Sequence, residues 1–139
     1  GRGRAFPVEL STLLRASETP EVYAFALCGQ GELGIRQLAK EAVNRPWKGV
    51  NWPAFYLAAL GGRAAAAMPE LTAALDREPV VLCPVLKAID AIAAEQPAKV
   101  LPYADRIAVL RRQPDAEVRF WAGYIVEKLQ KAGYTGRAE

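Results

Sequence analysis

The hydrophobic pattern of this chain is helical along most of its length. Apolar residues recur at spacings of three and four, while the strand-like alternation of Val, Ile and Thr is absent. The clearest helix follows the turn at Gln113-Pro114-Asp115, and its apolar stripe is Val118, Ala122, Ile125, Val126 and Leu129. Asp115 places negative charge at the start of this helix, and Gly133 follows it where a left-handed C-cap is expected.

The predicted helices form four consecutive pairs, at about 7–28, 32–60, 63–96 and 99–133. A proline lies at or near the start of the second helix of each pair: Pro20, Pro53, Pro79 and Pro114. Spacings of 26 to 35 residues between these prolines are typical of helix-pair repeats. We therefore predict an all-α fold, built as a short right-handed α-solenoid of about four antiparallel helix pairs. A compact helical bundle without a repeat is the alternative.

Residues 1–139 are expected to form one helical-repeat domain, which is compatible with a segment of a longer protein. The predicted helix from Pro79 to Glu95 is apolar over more than half of its circumference, so it should be covered on two sides. Pro84 falls inside this helix and should kink it or delay its start. In the last helix, Phe120 and Tyr124 lie roughly opposite the apolar stripe. Three interpretations are open: these aromatics pack beside the preceding repeat, they lie at the exposed end of a longer array, or they form a partner site.

The stretch from Leu110 to Leu129 resembles a HEAT repeat. A helix ends in Leu110-Arg111-Arg112, and Asp115, Val118 and Arg119 match residues common at the start of the second helix of that family. Phe120, Trp121 and Tyr124 are bulkier than the residues usual there, and the other pairs match less well. HEAT arrays mostly act as protein-binding scaffolds, so the resemblance implies an interaction module without naming its partner.

The composition removes several classes of function. With 139 residues, of which 52% are hydrophobic and 24% charged, the chain can bury a real core. It contains no histidine, which removes His-based acid–base catalysis, catalytic triads and nearly all zinc or non-haem iron sites. The iron chemistry of HEAT-type deoxyhypusine hydroxylases is excluded for the same reason. We predict neither a metal site nor a cofactor; carboxylate pairs such as Asp76 with Glu78 leave an enzyme open without favouring one.

Other features of the sequence indicate the location of the protein, the state of its cysteines and the charge of its partners. No apolar run reaches the length of about 18 to 20 residues that crosses a bilayer, and we expect a cytoplasmic protein. Cys28 and Cys83 lie on apolar helical segments and are predicted to be buried free thiols, with a disulfide between them as the alternative. The net charge of +3 permits an anionic partner without requiring one.

The leading hypothesis is a non-catalytic scaffold that binds another protein through the face of its second helices. Aromatic anchors with a charged rim are the residue types that interfaces favour. The residues predicted to bind are outward positions of successive second helices: Lys87, Asp90, Arg119, Phe120, Tyr124 and Glu127.

The alternative is a nucleic-acid-binding module. Its residues lie on one helix face and on the loop that follows: Arg36, Lys40, Arg45, Trp47 and Lys48. Positive charge beside an exposed aromatic is what a phosphate-backbone binder needs. HEAT-like alkylpurine DNA glycosylases are similar in being small helical solenoids, although no catalytic Asp with flanking aromatics matches here. Solvated basic faces paired with nearby acids, and a Trp47 that covers the turn, are the simpler interpretation.

Overall fold

The computed structural model describes residues 31–44 and 47–136. Within these ranges the chain is helical and contains no strand, which confirms the all-α prediction. The α-helices are α1 Glu32–Asn44, α2 Trp52–Leu60, α3 Met68–Leu71, α4 Pro79–Glu95, α5 Pro97–Val100, α6 Ala104–Val109 and α7 Ala116–Lys131. The helix pair predicted at 7–28 lies outside the described residues, as does Cys28.

Helices α2, α4 and α7, here called the second helices, are packed in that order, with α4 in contact with both of the others. Nine side chains of α4 are buried: Val81, Leu82, Cys83, Val85, Leu86, Ala88, Ile89, Ile92 and Ala93. A helix buried this widely must be covered on both sides, as its sequence predicts. Because α2 and α7 provide that cover, α4 is the centre of the described core.

The segments between the second helices are helical but irregular. Turns of 3₁₀-helix cover 61–67, 72–74, 101–103 and 110–112 and alternate with the short helices α3, α5 and α6. The first helix in each of the predicted pairs 63–96 and 99–133 is therefore not one regular helix. Pro69 and Pro102 lie inside these segments, where each lacks a backbone N–H and disfavours α geometry in the residue before it.

The ends of the second helices follow the predicted chemistry. Asn51 Oδ1 accepts a hydrogen bond from the Ala54 N–H at 3.0 Å to cap α2, and Asp115 Oδ1 accepts one from Val118 N–H at 3.0 Å to cap α7. Gly133 adopts φ +112°, and the N–H of Tyr134 donates to the Leu129 carbonyl at 2.9 Å. This closes α7 as a glycine C-cap is expected to do.

Pro84 does not delay the start of α4. The helix begins at Pro79, continues through Pro84 and ends at Glu95, with Pro84 half-buried. Because proline has no N–H, the carbonyl one turn earlier, that of Val80, has no helical donor from this residue. Val80 is exposed, so water can reach this part of the helix.

The junction between α2 and the next segment depends on a close approach. Gly61 adopts φ +59°, and the N–H of Gly62 donates to Glu95 Oε1 at 2.7 Å. A Cβ added at Gly61 would lie 2.8 Å from the same oxygen. Glycine is thus required both for the turn and for the carboxylate of α4 to reach the start of segment 61–67.

Candidate functional site

Exposed apolar side chains concentrate on the second helices. Of the large apolar residues that are exposed in the described residues, five lie on these helices or directly before α2: Val50, Phe55, Val80, Phe120 and Tyr124. Only Leu33 and Val109 lie on the other segments. Single exposed apolar residues are ordinary, but a group on one layer marks a candidate binding surface.

A cleft opens between α2 and α4. It encloses about 290 Å³ and is lined by Gly49, Val50, Asn51, Ala54, Phe55, Ala58, Pro84 and Lys87. The buried Asn51 holds its floor, because Nδ2 donates to the Ala42 carbonyl at 3.1 Å and Oδ1 caps α2. The walls above this floor are mostly apolar, so the cleft suits an apolar side chain.

A second cleft lies between α4 and α7. It encloses about 280 Å³ and is lined by Pro79, Val80, Cys83, Pro84, Lys87, Asp115 and Glu117. Pro84 and Lys87 line both clefts, so the two are neighbours across α4. We call the resulting region the outer surface and define it by five residues that line the clefts, namely Val50, Phe55, Val80, Pro84 and Lys87, together with Tyr124, whose ring lies 5.9 Å from that of Trp121 beside Lys87.

Lys87 is held at the centre of the outer surface by α7. Its Nζ lies 3.9 Å from Glu117 Oε2 and 5.9 Å from the ring centroid of Trp121. Both Lys87 and Glu117 are more than half exposed, so the ion pair contributes little to stability. Its effect is to orient a positive charge between the two clefts.

Cys83 lies beneath the second cleft as a buried free thiol, as predicted. Burial, and after it the nearby carboxylates of Glu117 and Asp115, raise the pKa of Cys83 from 9.0 to about 11. Very little thiolate is present at neutral pH, so the side chain is a poor nucleophile and acts as a small apolar group.

The six residues predicted to bind a partner occupy three different places. Lys87 lines both clefts of the outer surface, and Tyr124 is exposed at its edge, next to Trp121. Asp90 instead lies in the seam between helices: its Oδ1 accepts a hydrogen bond from Lys128 Nζ at 2.8 Å, and its side chain is 16% exposed. The prediction of an outward Asp90 is therefore wrong.

Arg119, Phe120 and Glu127, the other three predicted residues, lie along the side of α7 that faces away from α4. Helices α4 and α7 can be aligned by a shift of 37 residues, because this shift matches their buried stripes. Val81, Val85, Ile89 and Ile92 of α4 then correspond to Val118, Ala122, Val126 and Leu129 of α7. By the same spacing Leu82, Cys83, Leu86, Asp90 and Ala93 correspond to Arg119, Phe120, Gly123, Glu127 and Gln130.

On α4 these counterpart positions are buried or, for Asp90, half-buried, and Cys83 and Asp90 lie against α7. On α7 they are exposed, apart from the half-buried Gly123. We call Arg119, Phe120, Gly123, Glu127 and Gln130 the α7 flank. It is the uncovered equivalent of the side by which α4 packs against its neighbour.

Two of the residues of the nucleic-acid alternative have partners inside the fold. Arg36 Nε lies 2.8 Å from Glu70 Oε2 in an ion pair, and Trp47 Nε1 donates to the Glu41 carbonyl at 3.1 Å. Trp47 is thus half-buried over the end of α1. Lys40 and Lys48 are exposed, and Arg45 lies outside the described residues.

Several other arginines are used inside the fold. Arg77 Nη1 donates to the Val43 carbonyl at 2.6 Å, and Arg106 Nη2 donates to the Thr72 carbonyl at 3.4 Å. Arg119 Nη1 donates to the carbonyls of Gln113 and Pro114 at 2.9 and 2.7 Å. These guanidinium groups bind backbone carbonyls of another segment or, for Arg119, of the turn that precedes α7.

The described residues contain no group of three or more Cys, Asp or Glu side chains arranged to hold a metal ion. In the same part of the chain, no helix has the length and apolar character required to span a bilayer. No protein-family model, curated protein or solved structure matches this chain. The HEAT resemblance therefore depends on the residues of 110–129 alone and stays a prediction.

Sequence reasoning missed Val50, Phe55 and Val80. Helix α2 reads Trp-Pro-Ala-Phe-Tyr-Leu-Ala-Ala-Leu, with no polar residue to show which side faces water. Val80 follows Pro79 in the first turn of α4, where its apolar character suggests a core position. The best signal available was the length of the apolar run in α2, which exceeds what one buried face requires.

Proposed function

We propose that this protein is a short right-handed HEAT-like α-solenoid that binds another protein through the outer surface of its second helices. The activity is non-catalytic and the site uses no cofactor. The free thiol of Cys83 is consistent with the reducing conditions of the cytoplasm, where we place the protein.

The stacking is supported by contacts between residues one repeat apart. Three side-chain contacts join residues 34 positions apart: Arg36 with Glu70, Arg77 with Val43, and Arg106 with Thr72. Glu95 contacts Gly62, 33 positions away. Recurrent links at one spacing are expected where each helix pair contacts the next pair along the chain.

The observation that carries the proposal is the pair of clefts on either side of Lys87. Val50, Phe55 and Val80 are each about half exposed or more, at 49%, 53% and 57%. Leaving them in water is unfavourable by about 25 cal/mol per Å², and a partner that covers them recovers this energy. A mostly apolar cleft and a mixed one, with an oriented cation between them, fit a segment with an apolar side chain beside an acceptor group.

The test is affinity purification from the native host, followed by mass spectrometry, with three forms of the chain. The first is the wild type, and the second carries Phe55→Ser and Val80→Ser on the outer surface. The third is a matched control with Leu33→Ser and Val109→Ser, which removes equally exposed apolar residues elsewhere.

A partner retained by the wild type and by the control but lost by the outer-surface variant is the expected result. Circular dichroism and thermal melting of all three forms show that loss of binding is not loss of folding. Equal capture by all three forms means that the outer surface is not the binding site.

A further inference from the structure

The α7 flank is a second exposed surface, which adjoins the outer surface because the ring of Phe120 lies 5.0 Å from that of Tyr124. Phe120 is 55% exposed, and its ring stacks edge-on against Trp121 with 5.3 Å between centroids. Beside it lies Gly123, where an added Cβ would meet nothing within 4 Å. An aromatic next to an open glycine in mid-helix lets another helix approach closely.

Charges on this side of α7 are arranged symmetrically about Gly123. Arg119 lies four residues before it and Glu127 four residues after it.

This symmetry selects one orientation of a second copy. When two α7 helices cross antiparallel at Gly123, a residue before the glycine faces the residue equally far beyond it in the other copy. Arg119 then faces Glu127 in both halves of the contact. A parallel crossing would instead place Arg119 against Arg119 and Glu127 against Glu127, which like charges disfavour.

The contacting groups are available for this role. Within the described residues, Glu127 and Lys131 form no ion pair or side-chain hydrogen bond. Arg119 uses only Nη1, on the Gln113 and Pro114 carbonyls, and this holds the guanidinium at the start of α7.

We propose that the protein forms a two-fold homodimer in which the α7 flanks of two copies pair antiparallel, with the symmetry axis at Gly123. A contact of this type is self-complementary, so the same residues supply both halves and the assembly closes at two copies.

The test combines sedimentation equilibrium with charge reversal. The wild type is expected to be a concentration-dependent dimer. Arg119→Glu alone and Glu127→Arg alone place four like charges in two facing pairs, and each variant should be monomeric at concentrations where the wild type is dimeric. An equimolar mixture of the two variants should restore the dimer, because every facing pair then joins an acid to a base.

Differently labelled variants in the mixture identify a mixed dimer by energy transfer. Lys40→Glu, an exposed change on α1, is the control and should leave the dimer intact. Glu127→Arg removes no internal bond, so it tests the surface even where Arg119→Glu loosens the turn that its guanidinium holds. A wild type that stays monomeric, a single reversal that still dimerises, or a mixture that stays monomeric would overturn the proposal.

Discussion

Helices α4 and α7 have matching buried stripes, but the flank beside the stripe is largely buried in α4 and largely exposed in α7. Val81, Val85, Ile89 and Ile92 of α4 recur 37 residues later as Val118, Ala122, Val126 and Leu129 of α7, all buried. On the flank, the buried Leu82, Leu86 and Ala93 of α4 become Arg119, Gly123 and Gln130 of α7. The stripe binds each helix to the layer beneath it, and the flank decides whether another helix can cover it.

The difference between the two flanks separates residues that build the core from residues that we propose bind a second copy. Burial of an apolar flank gives α4 its place in the core, and α7 supplies the cover. The α7 flank carries a base, an acid and an amide, which remain solvated where apolar residues would not. Phe120 is the exception, since it replaces Cys83 of α4 and is left exposed.

The largest expected effect is a loss of stability, and it comes from a substitution on the buried flank of α4. Leu86→Ala removes a fully buried side chain from the centre of α4, and we expect a loss of about 3 kcal/mol in the free energy of unfolding. Urea denaturation followed by circular dichroism measures it. The exposed Val109→Ala should change stability by less than about 0.5 kcal/mol, and a comparably small loss at Leu86 would contradict the packing described for α4.

A smaller effect should appear at high pH through Cys83. Because the pKa of the thiol rises from 9.0 to about 11 on folding, the unfolded chain loses its proton first. Between those pH values the folded state binds more protons, so stability falls as pH rises. Below pH 9 the contribution of the buried thiol is fully present.

Cys83→Ala separates this effect from the titration of tyrosine and lysine. We expect the difference in unfolding free energy between the wild type and Cys83→Ala to be constant up to about pH 9 and to shift against the wild type above it. Denaturation curves at a series of pH values measure the difference. A difference that does not change with pH would show that the thiol is not held neutral by its surroundings.

Much of this comparison could be predicted from the sequence. The stripe of α7, its caps at Asp115 and Gly133, and the two-sided burial of α4 all follow from periodicity and helix-end chemistry, because polar residues mark the edges of both helices. The position of Phe120 and Tyr124 opposite the apolar stripe also follows from helical spacing. Periodicity shows which side of a helix is apolar, but not which distant part of the chain covers its other sides. For this reason it leaves open the three interpretations of Phe120 and Tyr124.

The rest lacked a local signal. Helix α2 is apolar on every side, so nothing in its sequence distinguishes the buried Leu57 from the exposed Phe55. The acid at Asp90 is typical of an exposed position, yet Lys128, 38 residues away, draws it into the seam. Arginines that cap distant carbonyls, such as Arg77 on Val43, cannot be told from surface charge without the fold.

The smallest expected effect is a gain of stability at Gly123, the residue of α7 that corresponds to Leu86 of α4. Gly123→Ala in α7 should raise the free energy of unfolding by about 0.5 to 1 kcal/mol, because glycine costs entropy in mid-helix and the added Cβ meets nothing within 4 Å. Denaturation at a concentration below that of self-association measures the monomer alone. Gly61→Ala is the matched control, since its φ of +59° and the nearby Glu95 carboxylate make the same change destabilising. A loss of stability at Gly123 would mean that the α7 flank is covered within the monomer, and the contrast with α4 would no longer hold.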